Sequence, residues 1–63
     1  MPNRFNLDAA LAAWRRPFEV SRTFSPEDLE ELEGALIDRI EGLCAAGYEE
    51  EEAFHEAVRR LGH

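Results

Sequence analysis

The chain has one cysteine, one methionine, one tryptophan, one tyrosine and no lysine among its 63 residues. A single thiol, Cys44, cannot close an intrachain disulfide, which excludes a disulfide-stapled secreted scaffold and makes a reducing compartment the natural setting. No stretch approaches the roughly 18 to 20 apolar residues of a membrane span, and residues 1–20 lack the apolar centre of a signal peptide. A cytoplasmic location is therefore expected unless a neighbouring segment carries the chain elsewhere. Positive charge is also scarce. Seven arginines face 14 acidic residues, for a net charge of −7. Nucleic-acid binders concentrate positive charge on one face, so DNA and RNA are unsuitable partners. The absence of lysine itself carries no functional reading.

The charge is uneven. Residues 1–22 hold Arg4, Arg15, Arg16 and Arg22 against Asp8 and Glu19, a sum of +2, which leaves −9 for the remainder. One end of the molecule should be mildly basic and the rest acidic. A chain this short has room for one domain, 1–63, and one core. Leu7, Leu11, Trp14, Phe18, Phe24, Leu29, Leu32, Leu36, Ile37, Ile40, Leu43, Phe54, Val58 and Leu61 are available to fill it.

The periodicity predicts an all-α fold of three helices. Asn6 is a good N-cap, and Leu7, Ala10, Leu11 and Trp14 fall on one face of a 3.6-residue repeat. Pro17 has no amide for the Ala13 carbonyl and disfavours helical geometry at Arg16, so a first helix over about 7–16 is expected to stop or kink there, with Phe18 prolonging the apolar stripe in a frayed final turn. Residues 19–25 read as a connection with Ser21, Thr23 and Ser25 serving local donors. Ser25, Pro26, Glu27 and Asp28 then give a strong helix start, with Phe24 and Leu29 at hydrophobic-staple spacing.

A long central helix over about 26–46 places Leu29, Leu32, Leu36, Ile37, Ile40, Leu43 and Cys44 on one apolar stripe. Gly47 supplies a left-handed stop, and Tyr48 sits where it can pack back on that helix. A third helix over about 50–61 turns Phe54, Ala57, Val58 and Leu61 inward, pairs Glu56 with Arg60, and is closed by Gly62.

No constellation for catalysis can be assembled. There is no glycine-rich phosphate loop and no Ser, His and Asp arrangement, so an enzyme is not expected, nor a cofactor. The run Glu49–Glu52 lacks the alternation and turn glycine of a calcium loop, and a helix N-terminus already favours those charges. Cys44, His55 and His63 do not have metal-ligand spacing. His55 reads as solvated, and Cys44 as a small hydrophobe in the core. If an aromatic side chain serves as a partner anchor, Trp14 and Tyr48 are the candidates, because each can bury a ring and keep a polar tip wet.

The ordered segments Leu29-Glu30-Glu31-Leu32-Glu33, Leu36-Ile37-Asp38-Arg39-Ile40, Leu43-Cys44-Ala45-Ala46-Gly47-Tyr48-Glu49-Glu50-Glu51-Glu52-Ala53-Phe54 and Ala57-Val58-Arg59-Arg60-Leu61-Gly62 resemble the permease prefix domain. Ala12-Ala13-Trp14-Arg15-Arg16 is similar to that family's first segment. The chain departs from the pattern at Ala35, where a polar residue, often His, is usual, and at Glu49, where Ser or Thr caps the helix. The resemblance implies a cytoplasmic helical module ahead of the first membrane span of ABC-type permeases related to macrolide exporters and lipoprotein transporters. On that view the chain is an N-terminal piece of a longer membrane protein. Its partner would be another protein or the rest of its own permease chain. The alternative is a self-associating module of a soluble protein, a homodimer built on the broad stripe of the central helix.

Overall fold

A computed structural model describes residues 5–61, and it shows three helices: α1 (Leu7–Ser21), α2 (Pro26–Ala45) and α3 (Glu50–Leu61). Among the described residues there is no strand. Gly62, expected to close the last helix, lies outside them, as do Arg4 and His63.

Local chemistry sets most of the boundaries. The Asn6 side chain accepts from the Ala9 amide at 3.1 Å, and the Ser25 hydroxyl accepts from the Asp28 amide at 3.1 Å. Each satisfies an amide that the first turn cannot bond internally. At the far end of α2, the Gly47 amide bonds the Cys44 carbonyl at 3.0 Å and the Tyr48 amide bonds that of Leu43 at 3.1 Å. With Gly47 at φ 112° this is the paired Schellman closure. Glu49 lacks the hydroxyl of a usual cap, and the Glu52 carboxylate compensates by reaching back to the Glu49 amide at 3.4 Å.

One boundary differs from expectation. α1 does not stop at residue 16 but runs through Pro17 to Ser21. Proline removes one amide, yet the turn beyond it is held from several sides. The Phe18 ring meets Trp14 edge-on at 5.3 Å and Phe24 at 5.5 Å, and the Arg22 amide bonds the Phe18 carbonyl at 3.0 Å. Ser21 Oγ donates to the same carbonyl at 3.3 Å, sits 2.7 Å from the Thr23 hydroxyl and accepts from the Thr23 amide. The connection therefore shrinks to residues 22–25.

The main core gathers Leu11 from α1, Leu36 and Ile40 from α2, and Ala53, Phe54 and Ala57 from α3. Leu36, Ala53 and Ala57 are fully buried. Burying a leucine or isoleucine contributes about 1.5 to 3 kcal/mol, so Leu36 and Ile40 are the largest individual terms. The inward alanines, one turn apart, let α3 lie closely along α2, and this is the tightest helix pair. Ala53 was not among the residues expected inside.

Phe18, Phe24, Leu29 and Leu32 stand outside this main cluster. Trp14 links it to a second, smaller aromatic group made with Phe18 and Phe24. Cys44 corrects the sequence reading, because it is exposed rather than in the core. It lies about 80° around the helix from Leu36, in the last turn of α2, where the neighbouring helices no longer cover that flank. Gly34 and Gly42 face open space, so neither marks a close helix contact.

Candidate functional site

The two aromatic candidates part company. Trp14 is half-buried, packed against the main core and edge-on to Phe18. Tyr48 is 40% exposed at the α2–α3 turn, held out by the backbone closure around Gly47. One faces in and the other out, and they do not form a shared surface.

The more developed surface lies at the corner where α1 passes into α2. Arg15, Glu19, Arg22, Phe24, Ser25, Pro26 and Leu29 line a groove of about 610 Å³ there. Leu29 forms a buried floor, while Phe24 is 37% exposed and nearby Val20 is 75% exposed. On one wall, Arg15 Nη1 donates to Glu33 Oε1 of α2 at 2.8 Å, and Arg15 Nε lies 3.4 Å from Glu19 Oε2. That clamp ties α1 to α2. Arg15 Nε is shielded from solvent and lacks a well-aligned acceptor. On the other wall Arg22 takes a left-handed backbone, φ 58°, at the end of α1, and its side chain forms no ion pair among the described residues.

Sequence reasoning missed Val20 and Arg22 as surface-forming residues. With the first helix ended at residue 16, neither had an assigned face. The signal lay in Phe18 as a continuation of the inward stripe past Trp14, because the same helical phase turns Val20 to solvent.

On α3, Glu56 gathers two arginines. Arg59 Nη2 donates to both of its carboxylate oxygens at 2.8 Å, and Arg60 Nε donates to Oε2 at 2.7 Å. Hydrogen bonds from Arg59 and then Arg60 hold the Glu56 carboxyl below the ordinary glutamate range, and the same contact raises Arg59. The pair expected between Glu56 and Arg60 is present, and Arg59 completes a fork. His55 is exposed and edge-on to Phe54 at 5.5 Å. Among the described residues no three His, Cys, Asp or Glu side chains converge on a metal-sized site, and no helix is long and apolar enough to cross a membrane.

No family model, curated protein or solved structure matches the chain. Its more developed surface is an apolar corner bordered by the Arg15–Glu19 pair and by Arg22, on a three-helix frame.

Proposed function

We propose that this is a non-enzymatic interaction domain, the cytoplasmic N-terminal module of an ABC-type transporter permease, working through a protein partner or the rest of its own permease chain. The observation that carries the interaction role is the uncovered apolar corner formed by Val20, Phe24 and the groove above Leu29. Apolar surface of this kind, bordered by charge, is what a protein partner covers. The permease assignment is supported by the order of the resembling segments. They follow one another along α2, its glycine turn and α3, the two helices that pack most tightly.

Self-association through the α2 stripe has less to work with. Leu36 and Ile40 are already covered by the other helices, which leaves a homodimer only the half-buried Leu32, Ile37 and Leu43 and the exposed Cys44 of that stripe.

The test uses the full-length parent protein in its membrane. A photo-crosslinking amino acid at Phe24 should capture either a second protein or a distant segment of the same chain. The same label at the exposed position Glu30 should not. A reading frame that ends without a hydrophobic span within some tens of residues of His63 would remove the permease assignment, and equal labelling at both positions would remove the groove from the interaction.

A further inference from the structure

The α1–α2 groove combines three features that together define an occupant. Its floor is apolar, made by Phe24, Pro26 and Leu29. Its carboxylate, Glu19, is engaged by Arg15 on the same wall. Its remaining cation, Arg22, has no carboxylate partner among the described residues, in a chain with twice as many acids as bases.

Arg22 is also costly to keep. It occupies a left-handed helix end, a conformation that glycine adopts freely and side chains resist. At the end of α2 the chain uses Gly47 for its positive φ. A strained residue that retains a long cationic side chain over an apolar floor is a reason to look for what the cation meets.

We infer that the groove takes up a protein segment bearing an apolar side chain beside a carboxylate, the apolar group resting on Phe24 and Leu29 and the carboxylate meeting Arg22. This rests on the domain being an interaction module and adds the chemistry of what it takes up. Sign complementarity selects that occupant. Residues 23–63 carry −9 and residues 1–22 carry +2, so a basic segment is drawn to the broad acidic surface, whereas an acidic one is favoured at the basic end of the chain, to which Arg15 and Arg22 of this corner belong. Guanidinium is well suited to a carboxylate because it can donate two parallel hydrogen bonds.

The experiment titrates the isotope-labelled full chain with two short synthetic amphipathic peptides, followed by amide chemical shifts. One alternates leucine and phenylalanine with glutamate, and the other replaces every glutamate by lysine. Salt is held at about 0.15 M, where screening acts over about 8 Å and the local charge decides.

The acidic peptide should shift the amides of residues 19–29 and bind about tenfold more tightly than the basic one, a difference of about 1.4 kcal/mol. Arg22→Gln should abolish that preference. Arg16→Gln, on the exposed face of α1, should preserve it. Equal or tighter binding of the lysine peptide, shifts mapping elsewhere, no binding of either peptide, or an unchanged preference in Arg22→Gln each overturns the inference. Concentration-dependent shifts of the same amides without peptide would also overturn it, in favour of a second copy. Crosslinking from Phe24 in the parent protein separates the two levels. If it persists while the acid preference fails, only the occupant's chemistry is wrong, and if it also fails, the interaction surface is wrong as well.

Discussion

Pro17 gives the sharpest test of how α1 is held together. It is exposed, sits inside the helix, and has Phe18–Ser21 still helical beyond it. Replacing it by alanine supplies an amide for the Ala13 carbonyl and removes the ring from the preceding turn, without taking away core packing. In an uninterrupted helix interior, proline costs about 3 kcal/mol relative to alanine. Only one turn follows Pro17, so relief cannot exceed what that turn loses by fraying. A gain of about 1 to 3 kcal/mol is expected for Pro17→Ala. For a domain of this size each kcal/mol moves the melting midpoint by about 4 to 8 °C, well within reach of circular dichroism. Pro17→Gly restores the same amide but with poorer helix propensity, and should gain about 1 kcal/mol less than alanine. A Pro17→Ala variant that melts at or below the parent temperature, or one that matches the glycine variant, would refute the account. The turn from Phe18 to Ser21 would then not be helical in solution.

Other perturbations have equally definite signs. Leu36→Ala empties the centre of a small core and should cost about 2 to 5 kcal/mol; chemical denaturation would show this as loss of most of the stability, and a cost under 1 kcal/mol would mean that the site collapses freely. Gly47→Ala places a Cβ on a positive-φ residue and should cost about 1 to 2 kcal/mol, measured the same way. Arg22→Gly removes the left-handed strain and should raise stability by up to about 1 kcal/mol, while erasing the preference for an acidic peptide; a variant that retains the preference would overturn the role given to the Arg22 guanidinium. Glu56 titrates below an ordinary glutamate because Arg59 and Arg60 bond its charged form. A carboxyl lowered on folding stabilises the fold above its unfolded pKa and loses that contribution as pH falls through the lowered folded value. The effect therefore belongs to acid conditions below the ordinary glutamate range, and carboxyl NMR titration should show the Glu56 midpoint rising when Arg59 and Arg60 are both changed to Gln.

The legible parts of this protein share a length scale. Helix starts at Asn6 and Ser25, the reversal at Gly47 and the fork of Glu56 with Arg60 all depend on partners within about five residues. Sequence spacing states such partners directly. The all-α class follows from the same source, since apolar residues recurring at three and four positions need no knowledge of the rest of the chain.

Tertiary structure decided what lies farther apart. The turn of α1 beyond Pro17 is held in part by Phe24, which arrives from the next segment to meet Phe18 edge-on. Cys44 and Ala53 exchanged their expected places because burial depends on which flank of a stripe a neighbouring helix covers, and no periodicity contains that. The groove is the furthest from view. Its walls come from the end of one helix and the start of another, joined through a left-handed Arg22, and its charge balance depends on Arg15 being claimed by Glu33 eighteen residues away. Local hydrogen bonds and side-chain spacing determined the helices, and the relative placement of those helices determined which surface remained to meet a partner.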